Sequence, residues 1–371
     1  MSSSIESSHT QQSSISAGSI SLLKSAKNTK ENSPYLPYRN ILLAPHRVKE
    51  LSQLRAHVAV LDTAVCWGSI LCALMLCALI PTWWMVLIAI PLIGTRYYGL
   101  FIIAHDGFHR RIFKNSNWND LFADLLLCAP VGAITRINKR NHLGHHSHFA
   151  SEVDPDRYKY RCFGKTTVIE LFSALSGVGS VIRNLSNVYL RRAKTENVLE
   201  GADPAESEGY KARDLAILAF DQILIIGGLS YFIGWWAYPV LWLFPVYIFA
   251  YLGDTVRSFC EHSHPQHDTA ADEHRLITYV SGPIERLFFS PMNMNLHTTH
   301  HLWPSIPYYN LPQADKEVRA ACDLLRIGAD KLEWRKSYIG YLLTYIRKLP
   351  LVECRGTQAE AALLKAGTGQ I

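Results

Sequence analysis

Three histidine boxes carry the chemistry that is readable in this chain: His105-x3-His109, His142-x2-His145-His146 and His297-x2-His300-His301. Imidazole is the commonest metal ligand near neutral pH. These spacings set several rings on one helical face, because positions i, i+3 and i+4 are neighbours there. One metal takes about three or four protein ligands. The eight histidines of the boxes are therefore enough for two metals sharing one site. Thirteen of the 16 histidines fall in two windows, 105–148 and 262–301. His262, in Arg257-Ser-Phe-Cys-Glu-His262, stands alone and is a ninth candidate. His148, His264, His267 and His274 flank the boxes without the spacing. Metal-bound imidazoles usually need a hydrogen-bond partner on the far ring nitrogen. Asp106, Glu261, Asp154 and Asp156 are candidates for that part, as is Asn295, two residues before the third box.

Other cofactor chemistries are excluded by what the chain lacks. Its eight cysteines, Cys66, Cys72, Cys77, Cys128, Cys162, Cys260, Cys322 and Cys354, form no C-x-x-C pair. An iron–sulfur centre needs clustered thiolates, and a c-type haem needs C-x-x-C-H. The cysteines read instead as reduced thiols filling a core. No G-x-G-x-x-G fingerprint for a flavin or nicotinamide is present. Electrons for any redox reaction must come from a separate donor. The net charge of +6 is mild and forms no basic stripe for nucleic acid. A membrane surface is the expected partner for it.

The elements that must position the boxes are apolar. Only 18% of residues are charged, against about 25% in soluble domains. A bilayer crossing takes about 20 mostly apolar residues. Residues 58–80, 83–104, 215–234 and 237–256 meet that length. Very short connections, Pro81-Thr82 and the neighbourhood of Trp235-Trp236, make them two helical hairpins. Neither tip carries Lys or Arg, and of the 37 basic residues Arg96 alone lies inside a span. The positive-inside rule then puts both termini and the central loop in the cytoplasm. Trp83, Trp84, Trp235, Trp236 and Tyr238 fit an aromatic belt at the opposite interface. Every histidine box falls on the cytoplasmic face, whereas a transporter would hold its ligands near the midplane.

Asp62, Arg96, Asp221 and Asp254 lie inside or at the edges of spans, where ionisable groups are costly. Arg96 precedes His105 by nine residues, roughly 13 Å along a helix. It either lines a substrate tunnel or pairs with an acid. Leu121–Ala133 is apolar but too short to span, and reads as an interfacial or re-entrant helix. Residues 166–192 and 334–349 are amphipathic with basic edges and read as helices lying on the membrane surface. Glu200–Glu208 reads as an exposed acidic loop. The serine-rich residues 1–33 have no hydrophobic run and read as a disordered tail, and 351–371 as a flexible one. The fold class expected is an all-α integral membrane protein. Four transmembrane helices in two hairpins carry a cytoplasmic, histidine-rich helical cap within residues 34–350.

The three boxes resemble the membrane fatty acid desaturase superfamily and match its eight-histidine pattern. Arg257…Glu261-His262 looks like its additional-histidine segment. The run from Asn295 through His297, His300, His301, Pro304 and Pro307 to Leu311 is similar to its third box and tail. The resemblance covers roughly residues 36–325. It implies two iron ions held by His105, His109, His142, His145, His146, His262, His297, His300 and His301. Asp106, Glu261 and Asn295 would lie behind them. It also implies dioxygen as co-substrate, a lipid or fatty acyl substrate, and a ferredoxin or b-type cytochrome as electron donor. Asp106 directly after His105 also looks like carotenoid ketolases and hydroxylases. Desaturation of an acyl chain is the leading expectation, and oxygenation of a carotenoid or other lipid the alternative.

Overall fold

The computed structural model describes residues 36–149, 154–160, 167–176, 178, 210–263, 276–327 and 332–349. The helices that matter for the site are Ala56–Leu79 (α1), Trp83–Phe108 (α2), Thr135–His148 (α3), Ala212–Phe232 (α4), Tyr238–His262 (α5), His297–Leu302 (α6) and residues 338–349 (α7). Among the described residues, α1, α2, α4 and α5 are long and apolar enough to cross a membrane, with 24, 26, 21 and 25 residues. Residues 80–82 join α1 to α2, which pack along one another.

Two of these helices run past the apolar stretch. α2 continues to Phe108 and α5 to His262, so His105 and His262 sit on the last turns of spans. In α5 the segments Tyr238–Leu243 and Val246–Leu252 are π-wound. A π turn holds an extra residue and so rotates every later side chain about the axis. Beyond the second such turn, all of Gly253–His262 is buried.

The short apolar segment does not span. It is an α-helix from Ser116 to Ala123, a π turn to Cys128 and a 3-10 turn to Val131. The carbonyls at such a helix end need donors, and lipid offers none. Spans supply them. Trp67 Nε1 donates to Leu126 O at 2.9 Å and the Tyr97 hydroxyl to Leu127 O at 2.8 Å. Trp242 Nε1 and Gln222 Nε2 donate to Pro130 O at 2.9 and 3.0 Å. The same aromatic rings pack on each other, Trp67 stacked on Trp242 at 5.9 Å and Tyr97 edge-on to Trp242 at 5.4 Å.

One feature of the cap departs from the all-α expectation. Leu276–Tyr279 (β1) and Leu332–Arg335 (β2) pair in parallel, with Leu276 opposite Leu332 and Tyr279 opposite Arg335. Residues 334 and 335, expected in a surface helix, are therefore strand. α7 begins after them and buries Tyr338, Tyr341, Tyr345 and Leu349 against Phe259, Cys260 and Tyr279, while Ile339 and Leu343 are exposed. Of residues 166–192, Val168–Leu175 form a helix. The expected tails, 1–33 and 351–371, and the loop 200–208 lie outside the described residues.

α2 and α5 meet at Gly94. A Cβ there would fall 2.1 Å from Phe249 Cδ2 and 2.9 Å from the Pro245 carbonyl oxygen. Gly94→Ala is expected to cost about 1–3 kcal/mol through overpacking, read as a lower melting temperature in detergent. Adding Phe249→Ala should recover part of the loss. An unchanged midpoint for Gly94→Ala would mean that this contact does not hold the spans together.

Candidate metal centre

Four segments bring the nine histidines together. α2 contributes His105, with His109 as the first residue beyond its end. α3 contributes His142, His145 and His146, the end of α5 contributes His262, and α6 contributes His297, His300 and His301. His105, His145, His262, His297 and His300 are buried, and the other four are half-buried.

The rings form two groups. In the first, ligand atoms of His105, His109, His142, His146 and His300 all lie within 4.8 Å of one another. The second holds His145, His262 and His301 on the same criterion, and His297 joins it with its Nε2 2.9 Å from His262 Nε2. The H-x2-H-H boxes divide between the groups. On α3 the i, i+4 pair His142 and His146 faces the first group and His145 the second. On α6 the pair His297 and His301 faces the second and His300 the first. Successive helical residues differ by about 100° in direction, so adjacent histidines cannot share a group.

Hydrogen bonding alone does not satisfy these nitrogens. His142 Nε2 is 2.7 Å from His109 Nε2 and 3.1 Å from His146 Nε2, which is itself 3.1 Å from His300 Nε2. A ring nitrogen of neutral imidazole offers one proton or one lone pair. It cannot serve two neighbours at once. His301 Nε2 is buried and has no hydrogen-bond partner among the described residues. A cation inside the first ring of nitrogens fits these contacts, whose 2.7–3.1 Å separations suit neighbouring ligands on one ion. Two nitrogens at right angles, each about 2.1 Å from a metal, are about 3.0 Å apart.

Electrostatics favour the neutral, metal-binding form. Burial pushes His142, His146, His300 and His301 well below the ordinary histidine range, and neighbouring imidazoles add to this. His109 is lowered to about 3 by burial, then by Arg111 and Lys139.

The expected supporting groups behave differently from one another. Asp154 accepts from His145 Nδ1 at 2.9 and 3.1 Å, leaving Nε2 for the cluster. It also accepts from the Tyr160 hydroxyl at 2.5 Å and the Asp156 backbone N–H at 2.9 Å. Burial alone would raise the Asp154 carboxyl, but the bonds from His145 and Tyr160 hold it below its usual value. Glu261 accepts from Arg257 Nη1 and the Tyr338 hydroxyl, both at 2.8 Å. Its Oε2 stands 3.2 Å from His297 Nδ1, too bent for a hydrogen bond. Arg257 Nη2 also reaches Asp254 at 2.8 Å, which accepts from Lys159 at 3.3 Å.

Asp106 and Asn295 do not touch an imidazole. Asp106 Oδ1 is 4.0 Å from His105 Nδ1, and Oδ2 accepts from the Tyr308 backbone N–H at 2.8 Å. Asn295 Nδ2 donates to Tyr279 O at 2.7 Å, tying the entry of α6 to β1. Asp156 bonds Lys159, and His148 Nδ1 lies 3.1 Å from Gly144 O on its own helix. His264, His267 and His274 lie outside the described residues. Tyr160 and Tyr338 escaped the sequence reading, since no spacing relates them to a box, and Tyr308 enters it only as part of the third box's tail.

A family model described as fatty acid desaturase matches residues 81–329, a stretch that holds all nine of these histidines. The chain belongs to the fatty acid desaturase family. It is thus an oxidoreductase of the membrane fatty acid desaturase type and an integral membrane protein. Similar relatives include dihydrorhizobitoxine desaturase of Bradyrhizobium elkanii, 27% identical over 67% of this chain and 72% of that protein. An sn-1 acyl-lipid omega-3 desaturase (ferredoxin) of a Nostoc strain is 23% identical over 61% of this desaturase-family chain and 65% of its own length. Zeaxanthin 4-ketolase of Chlamydomonas reinhardtii is 26% identical, over 61% of this chain and 43% of that protein.

Two outcomes are expected. Asp154→Asn removes the anchor behind His145 and should weaken metal retention about 10- to 100-fold, read by metal analysis after graded chelation. Retention equal to wild type would dismiss Asp154 as a support. Histidines lowered below the ordinary 6.5 refuse protons that the unfolded chain accepts. The metal-free protein should therefore keep its full stability above about pH 6.5 and lose it progressively below. Thermal melts of chelator-treated protein across that range test this, and a flat or rising trend with acidification would contradict it.

Proposed function

We propose that this chain is a dioxygen-dependent di-iron desaturase that introduces a double bond into a long fatty acyl chain. The observation that carries the reading is the division of nine imidazoles into a group of five and a group of four on adjoining helix ends. His105, His109, His142, His146 and His300 would hold one ion, and His145, His262, His297 and His301 the other. A redox metal is required for such a reaction, which zinc cannot supply, and imidazole suits iron. Bound there, two irons supply the activation of dioxygen that removing hydrogen from an unactivated methylene requires.

The protein's own groups position and insulate. Asp154 orients His145 through a buried, ionised carboxylate. Arg257 and Tyr338 hold Glu261 in place behind His297. Exclusion of water by the buried cap protects reactive steps from side reactions. Electrons would arrive from a separate ferredoxin or b-type cytochrome. The name of the Nostoc relative supports the ferredoxin, and a basic cytoplasmic face would favour docking of an acidic donor. The topology that goes with this reading is two hairpins with both termini and the metal cap in the cytoplasm.

A second reading has its own support: oxygenation of a carotenoid or other lipid by the same centre. The 26% identity to zeaxanthin 4-ketolase and the Asp106 that directly follows His105 favour it. Comparing whole-lipid and carotenoid profiles of a host expressing the intact chain with those of His300→Ala decides between them. A new unsaturated acyl chain, absent from the variant along with most of the bound iron, is expected. A new hydroxyl or keto product would establish the second reading. Full activity in His300→Ala would refute the ligand assignment.

A further inference from the structure

A cavity of about 420 Å³ lies between α1, α2 and residues 283–293, apart from both histidine groups. Its volume is within the usual range of small-molecule sites, about 300–1,000 Å³. Arg96 on α2 and Arg286 line it, with Asp62 on α1. Leu287, Pro291 and Met292 give it an apolar side.

Arg96 is the anomaly. It sits near the middle of a candidate span and is half-buried, and its Nε is buried without a hydrogen-bond acceptor among the described residues. Neither Arg96 nor Arg286 makes an ion pair with a described carboxylate. A charged group within a span is costly and is normally paired or functional. The nearby acid is already engaged, since Asp62 Oδ2 accepts from the Tyr308 hydroxyl at 2.5 Å. Two guanidiniums against one carboxylate leave the lining one positive charge in excess. That suits one singly charged oxyanion, which a guanidinium fork binds with two parallel bonds.

The wall of this cavity is constrained. Met292 and Asn293 hold left-handed backbone conformations, with φ of 52° and 61°, which non-glycine residues adopt rarely and often at functional sites. Tyr308 connects the cavity to the metal centre. Its hydroxyl bonds Asp62 in the wall, and its backbone N–H bonds Asp106 beside His105. Arg96 lies nine residues from His105 on the same helix, roughly 13 Å along the axis.

We infer that this cavity binds the oxyanion head, carboxylate or phosphate, of an acyl amphiphile, with Arg96 as its main anchor. The inference rests on the lipid-oxidising reading only in taking an acyl chain as the body of the ligand.

The test is binding, not turnover. Metal-loaded protein in phosphatidylcholine nanodiscs is titrated at mildly alkaline pH with labelled palmitic acid, its methyl ester and hexadecyl methyl phosphate, a diester that carries one charge. At least one anionic ligand is expected to bind about 10- to 100-fold more tightly than the ester, the range of a charge-assisted hydrogen bond. Whichever of the two binds tighter identifies the head. Arg96→Gln should abolish the margin while ester binding stays unchanged. Arg286→Gln, at an exposed position, should reduce the margin and keeps the test open if Arg96→Gln fails to fold. Equal binding of all three ligands by the wild type, or an intact margin in both variants, would overturn the inference. Binding as expected in a protein that oxidises no lipid would sink the catalytic reading alone.

Discussion

Nine imidazoles held in contact inside protein are the constraint on which everything else turns. Each buried nitrogen without a partner costs about 1–3 kcal/mol, and their mutual spacing leaves too few protons and lone pairs in the right directions. A cation at the middle of each group would relieve that shortage. The rest of the chain can be understood as the apparatus that creates this shortage and keeps water from relieving it.

That apparatus has two levels. Spans supply rigid axes whose ends project from the apolar layer, so that His105 and His262 are fixed by helices anchored far from them. The cap then adds α3 and α6, neither of which is apolar enough to stand by itself. They are secured by polar contacts: Asp154 to His145 and Asn295 to β1. The chain Lys159–Asp254–Arg257–Glu261 alternates basic and acidic groups beside the second group.

Much of this was legible in the sequence, and the reason is periodicity. Twenty-residue apolar runs and H-x2-H-H spacings are local signals, and both survive in the structure as α1, α2, α4, α5, α3 and α6. The division of each box between two groups was not legible. It depends on which way α3 and α6 face each other, and that is set by packing. The β1–β2 pair was missed because two four-residue strands more than fifty residues apart give no alternating pattern of useful length. The π turns of α5 were missed because they rotate a face without changing composition. Tyr160 and Tyr338 act through tertiary contacts alone, and nothing in their neighbourhoods marks them; Tyr308 lies in the tail of the third box, but its two contacts depend on packing.

The distribution of the nine histidines along the chain also fixes an order of assembly. His146 meets His300 at a sequence separation of 154, and His262 meets His297 at one of 35. Neither group is complete until α6 docks, and α6 is made after all four spans. A ribosome-bound chain with its spans already in the bilayer would therefore still present a half-built, low-affinity receptor. For the proposed di-iron centre, metal capture would be a late event, coupled to closure of the cap. Contacts of such long range are also the slowest to form.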